Sequence, residues 1–157
     1  MALSLHTDYA LRTLMYLASR PGRASVARIA RFYKISEHHL AKVVQTLVRQ
    51  KLVRSMRGAG GGIQLALPPE EIRLGQVIEQ LEGTLDLLEC VHADGVCVIE
   101  RGCLLRDVLR QATRVQLEYL NRFTLADVLP RREVLVELAS GETERLSPSP
   151  PERGPSP

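Results

Sequence analysis

The chain has 157 residues, 45% apolar and 25% charged, which is the length and composition of one globular domain with an extension and excludes a wholly disordered chain. No apolar run nears the ~20 residues a membrane helix needs, and Asp8 and His6 interrupt any secretion-signal pattern, so a cytoplasmic protein with no membrane partner is expected. The net charge of +3 hides a division: residues 1–57 carry eleven Lys/Arg against two acids, Asp8 and Glu37, a net +9, whereas residues 58–157 carry ten Arg against sixteen acids, a net −6. One half is suited to a polyanion and the other to something else.

Leu5, Tyr9, Leu11, Leu14, Met15 and Leu17 recur at helical spacing and predict a helix over 5–20, capped by Thr7 and stopped by Pro21-Gly22. Ser25 predicts the cap of a second helix with Val26, Ile29, Ala30 and Phe32 on its buried face. After a break at Lys34-Ile35, Ser36 caps a third helix with Glu37 in its first turn and a stripe of Leu40, Val43, Val44, Leu47 and Val48. Two helices joined by a tight turn, the second polar at its start, form a helix-turn-helix whose second helix suits the major groove. Residues 52–57 and 63–67 flank Gly58-Ala59-Gly60-Gly61-Gly62 and predict a β-hairpin ended by Pro68-Pro69. A hairpin directly after a recognition helix is a wing. A nucleotide-binding glycine loop would need a helix after the glycines, and a strand follows here.

Ile72, Leu74, Val77, Ile78 and Leu81 predict a fourth helix ending at Gly83, and residues 84–103 read as a loop holding all three cysteines. Leu104, Leu105, Val108, Leu109, Ala112, Val115 and Leu120 predict a long helix over about 104–122, with an apolar stripe wide enough to form a dimer seam. Thr124 caps a short turn that Pro130 breaks, and the Ser/Pro/Glu-rich stretch from Ser140 predicts a disordered tail. The expected fold class is mainly α with a small β-hairpin: a winged helix-turn-helix over 1–82, a cysteine loop over 83–103, a dimerisation helix with a short capping helix over 104–130, and a mostly disordered tail over 131–157.

Ser36, Glu37, His38, His39 and Lys42 supply groups that bond phosphates or base edges, although Glu37 equally suits a helix N-terminus. Lys42, Arg49, Lys51, Arg54 and Arg57 suit phosphate, where charge matters more than shape, and Gly60 at the wing tip allows close backbone approach. Neighbouring His38 and His39 diverge by about 100° on a helix and make a poor joint metal site.

Cys90, Cys97 and Cys103 are separated by six and five residues. Their odd number argues against a disulfide framework, and no CxxC knuckle typical of zinc sites is present. Wider spacing on a loop suits an iron–sulfur cluster held by thiolates. From the residues alone, cluster ligands, zinc ligands, redox thiols and inert cysteines all remain open. Three thiolates leave a position for a further ligand, and Glu89, His92, Asp94 and Glu100 are the local candidates.

Four stretches carry a resemblance: LHTDYALRTLMYLA at 5–18, the helix-turn-helix at 25–51, VRSMRGAGGGIQLALP at 53–68, and the cysteine triplet followed by NRFTLADVL at 121–129. Over about residues 3–130 the chain resembles the nitric-oxide-sensing repressors of the winged-helix family that includes the iron–sulfur regulator IscR. The resemblance implies a homodimer on palindromic operator DNA, holding a 2Fe–2S or 4Fe–4S cluster and releasing the double-stranded operator when nitric oxide arrives. It also implies Cys90, Cys97 and Cys103 as ligands in a cluster-binding loop, with Asp8 of the other subunit as the fourth. Asp8 otherwise suits the first turn of its helix, and Arg12 one turn on can pair with it. The IscR type uses a histidine three residues after its last cysteine, and Arg106 stands there in this sequence. A transcription regulator rather than an enzyme is expected. The alternative is a regulator of the same family sensing cluster supply or redox state through its cysteines or zinc. A small iron–sulfur electron carrier or enzyme would leave the +9 segment and the wing without a use.

Overall fold

The computed structural model describes residues 3–130, apart from Pro21, Ala59, Thr84 and Leu87 and the side chain of His92. The expected stop at Pro21 and the expected tail over 131–157 lie outside the described residues. Helix α1 spans Leu5–Ala18 and is capped by Ser4 rather than Thr7. The Ser4 hydroxyl accepts the Thr7 amide at 3.2 Å, and Thr7 itself is fully buried. Either residue can supply a capping oxygen, but only Ser4 can do so while the Thr7 face enters the core. Helix α2, Val26–Tyr33, is capped by Ser25, whose hydroxyl accepts the Arg28 amide at 3.2 Å, and it ends at Lys34 in the left-handed conformation.

Helix α3, Glu37–Arg49, has Ser36 at its N-cap position, but that hydroxyl makes no capping bond. Leu40, Val43, Val44 and Leu47 are buried, whereas Val48 sits at the edge of the stripe with 37% of its surface exposed. The helix turns sharply into the wing because Lys51 adopts a φ of 59°. The Leu52 amide then reaches the Leu47 carbonyl and the Lys51 amide the Val48 carbonyl, both at 3.0 Å. Strands β1 (Val53–Met56) and β2 (Gly62–Leu65) pair antiparallel with Val53 opposite Leu65. Ala24, in the link between α1 and α2, exchanges two backbone hydrogen bonds with Ile63 at 2.9 and 3.0 Å, so the base of the wing is held to the helices.

Ile72 is buried but precedes the fourth helix, α4, which spans Leu74–Glu82. The expected loop at 84–103 contains a short helix, α5 (Glu89–His92), and a 3-10 turn at Glu100–Gly102. Helix α6 covers Leu104–Leu120, two residues shorter than its apolar pattern suggested. Beyond it the chain folds back into the N-terminal unit. The Leu74 amide bonds the Phe123 carbonyl at 3.0 Å, and the Leu125 amide bonds the Ile72 carbonyl at 2.8 Å. Leu125 joins Leu14, Ile29, Leu40, Leu47 and Ile72 among the largest fully buried side chains. Among the described residues no helix is long and apolar enough to cross a membrane.

Gly62 has a φ of 152°, and a Cβ there would lie 2.8 Å from the Ala24 carbonyl oxygen. Gly62→Ala is therefore expected to lower stability by about 1–2 kcal/mol in urea denaturation, and an unchanged midpoint would contradict this close approach.

Glu82 ties the two ends of this unit together by accepting the Ser4 amide at 2.8 Å. Burial pushes its carboxyl up, but hydrogen bonds from Thr7 and Ser4 outweigh that and hold it below its ordinary 4.5. A carboxyl lowered in the fold stabilises above its unfolded value, and that stabilisation is lost as pH falls through the folded value. Denaturation between about pH 6 and pH 3 should show the native chain losing stability more steeply than Glu82→Gln below about pH 4.5.

Candidate nucleic-acid interface and cysteine loop

Opposite the buried stripe of α3, positions 38, 42, 45 and 49 fall within about 60° of one another on the helix. His38, Lys42, Gln45 and Arg49 are all exposed there. Gln45 was not among the residues expected from sequence, because it carries no charge and follows the polar start of the helix. Its spacing from Lys42 and Arg49 was the available signal, and a Gln carboxamide can pair with adenine in two places. Ser36 and Glu37 are exposed at the helix start, and Arg49 donates to the Thr46 hydroxyl at 3.0 Å. His39 lies a quarter-turn from this face. It lines a cavity of about 340 Å³ with Leu5, His6, Tyr9, Lys42 and Val43, between α1 and α3. The His38 and His39 rings are 6.0 Å apart and tilted, without a shared ligand geometry.

On the wing, Arg54 stands opposite Gln64 in the strand register, and Arg57 and Gly60 are exposed near the tip. Arg23 donates to the Gly60 carbonyl at 3.3 Å and so links the tip to the segment before α2. Arg20 is held instead. Its guanidinium lies 4.6 Å from the Tyr16 ring centroid and 5.0 Å from that of Phe32, and it donates to the Tyr16 hydroxyl at 3.1 Å. The arrangement presents exposed cations and hydrogen-bonding groups on one helix and one hairpin, which suits a duplex phosphate backbone and a groove.

The three cysteines are unbridged and half-buried. Cys90 lies in α5. Cys97 lines an open cavity of about 630 Å³ with Gly95, Val98, Ile99, Glu100, Arg101 and Gly102. Cys103 takes the N-cap position of α6, where free amides and the helix dipole favour negative charge. Among the described residues no three His, Cys, Asp or Glu side chains gather into one metal-binding group. Asp8 and the cysteines of the same chain therefore do not converge. Asp8 is instead paired with Arg12 Nε at 2.8 Å, as the one-turn spacing suggested.

Two local ligand candidates are already engaged. Arg106 donates to Asp94 Oδ1 and to Glu100 Oε1, each at 2.7 Å. The hydrogen bond from Arg106 and the charge of its guanidinium hold the Asp94 carboxyl below its ordinary range. The Nε of Arg106 is buried with no hydrogen-bond partner. On α6, Leu104, Leu105, Val108, Val115 and Tyr119 are all more than half exposed.

The sequence profile of the Rrf2 family, iron-dependent transcriptional regulators, matches residues 3–131. The chain belongs to that family. The HTH-type transcriptional regulator NsrR of Oceanobacillus iheyensis is 42% identical over 141 residues, covering 88% of this chain and 96% of the relative. The NsrR proteins of Halalkalibacterium halodurans and Bacillus subtilis are 40% identical over the same length, covering 88% of this chain and 97% of each relative. Among solved structures, CymR, the global cysteine regulator of B. subtilis, superposes with a TM-score of 0.66 at 29% identity, over 82% of this chain and 95% of that one. IscR of T. potens gives 0.66 at 26% identity, over 95% and 94%. The winged-helix architecture is thus that of Rrf2-family regulators, and membership makes the chain a DNA-binding transcriptional regulator, a class that generally holds no enzymes.

Lys42→Ala and Arg49→Ala should each weaken binding to a duplex selected from a random pool and reduce the salt slope by about 1. Gln45→Ala should cost about 1–3 kcal/mol on the selected duplex and little on random DNA, as read by fluorescence anisotropy.

Proposed function

We propose that the chain is an iron–sulfur repressor that senses nitric oxide, binding palindromic operator DNA as a homodimer and releasing it on exposure to the gas. The observation that carries this reading is the placement of all three thiols on the segment joining α4 to α6, in a chain 40–42% identical to regulators named NsrR. The donor chemistry fits such a group. Three free thiols supply soft ligands, and the buried, unpartnered Arg106 Nε offers a donor to an anionic occupant. Cys90, Cys97 and Cys103 would hold it, with Asp8 of a second copy as an oxygen donor. An iron–sulfur cluster, when bound, supplies iron that reacts with nitric oxide.

The chain's own residues provide the rest. The exposed apolar face of α6 is covered by a second copy, which sets two α3 helices side by side. Half-sites lie about 34 Å apart, so a small change in the pose of the two helices costs affinity. Asp8 gives up or shares an ion pair with Arg12 to reach the other subunit, and the cost is small because both side chains are well exposed. The segment 90–103 bears on α6, and α6 is bonded back to α4 at its far end, so a change at the cysteines reaches the DNA-reading unit through packed elements. A coupling of about 1–3 kcal/mol would change operator occupancy roughly 5–150-fold.

Native mass spectrometry of protein purified without oxygen, with anisotropy on the selected duplex, tests this. The expected result is a dimer carrying two clusters, whose DNA affinity falls roughly 5–150-fold with nitric oxide. Cys97→Ser should abolish both the cluster and the response. A dimer with zinc or no metal that still binds DNA would overturn nitric oxide sensing and favour the cysteine- or zinc-based regulator.

A further inference from the structure

We infer that Arg106 is a positioning residue: it closes the cysteine segment onto α6 and keeps Glu100 out of the ligand set. The inference rests on the reading of the three cysteines as metal ligands. Three points of the chain meet at one guanidinium. Arg106 lies on the first turn of α6, and it reaches back 12 residues to Asp94 and 6 to Glu100, each at 2.7 Å. Glu100 spends its second oxygen on the Gly95 amide at 2.5 Å. Cys97 is thereby bracketed on both sides, at 94–95 and at 100. One turn further along α6, Arg110 donates to the Val91 carbonyl at 3.4 Å, beside Cys90.

An exposed ion pair would be a weak basis for such a role. Here the Arg106 and Glu100 side chains are only 13% and 19% exposed, so the bridge to Glu100 carries the role, while Asp94, 89% exposed, adds a weaker tether. The two bonds also use separate arms of one planar fork, a geometry a lysine ammonium cannot reproduce. Both oxygens of Glu100 are taken, so that carboxylate is not free to replace a ligand from elsewhere, whereas Asp94 is tethered through Oδ1 alone.

The test uses the full-length, metal-free protein and cobalt(II) as probe, without oxygen. In Arg106→Gln, amide exchange across residues 93–102 should rise at least about 10-fold while α1–α3 stay unchanged, and cobalt–thiolate affinity should fall about 10–100-fold. Arg106→Lys should recover only part of each effect. The cobalt d–d bands should shift in Arg106→Gln as Glu100 is released. They should return to the native pattern when Glu100→Gln is added. Unchanged exchange or affinity in Arg106→Gln overturns the positioning role, and unchanged bands overturn the ligand-exclusion role. Should Arg106→Gln fail to fold, Glu100→Gln tests the same bridge and should raise exchange in the same segment; no rise overturns the inference. Cys97→Ser separates the two readings. If it binds cobalt as the native chain does, the metal-ligand reading fails, while the exchange measurement still decides whether Arg106 holds the segment.

Discussion

Helix α6 is bonded into the N-terminal unit at the joint where residues 121–125 re-enter it. Two backbone bonds, from Leu74 to Phe123 and from Leu125 to Ile72, lock the chain there, and Leu125 is fully buried beside Ile72. Burying one leucine contributes about 1.5–3 kcal/mol. The Asn121 carboxamide accepts the Gln76 amide at 2.9 Å, and only a glycine at 75 leaves room for it, since a Cβ would stand 2.5 Å from that side chain. Asp127 stiffens the same turn by accepting both the amide and the hydroxyl of Thr124 at 2.7 Å, which holds its carboxyl below its ordinary range. Helix α6 is thus clamped at one end. Its 17 residues make a lever about 25 Å long, so a tilt of about 5° moves the far end by about 2 Å. That far end is where the third cysteine sits.

Much of this was legible in the sequence because it rests on short-range periodicity. The stripe of α3, the glycine run of the wing, the cap at Ser25 and the end of α4 at Gly83 each depend on neighbours within a few residues. What escaped depends on contacts that no window contains. Ser4 and Thr7 are equivalent as caps until the core claims Thr7. The four residues of α5 are too few to show a period. Gln45 is silent in a charge count although it lies among cations. The bridge from Arg106 to Asp94 spans 12 residues, and in sequence it reads only as a missing histidine.

The division of charge acquires a physical sense in the fold. Some cations of residues 1–57 face outward on α3 and the wing, and others are engaged within the fold. Arg20 stacks on aromatic rings, Arg12 pairs with Asp8, and Arg23 braces the wing tip. In the second half, arginines are set against acids around the cysteine segment and along α6, where Arg106, Arg110 and Arg114 each hold a carboxylate. These three arginines are partnered within the acidic half, and the excess of positive charge stays on the first half, which is what a polyanion-binding surface requires.

Helix α6 has apolar residues on more than one face. Leu109, Leu117 and Leu120 are half-buried on the face turned toward α4, while Leu104, Leu105, Val108, Val115 and Tyr119 face out. A helix that is apolar on both faces needs a second partner. Leu104 and Leu105 follow Cys103 directly, so the uncovered face and the cysteine segment are continuous. Val98 and Ile99, beside Cys97, are also exposed. In the proposed dimer the copy that covers α6 also removes water from the thiols, so assembly and the chemistry of the cysteines are coupled through one apolar surface rather than through separate devices. A chain that failed to pair would leave its cysteines half-exposed and its recognition helix without a partner at the same time.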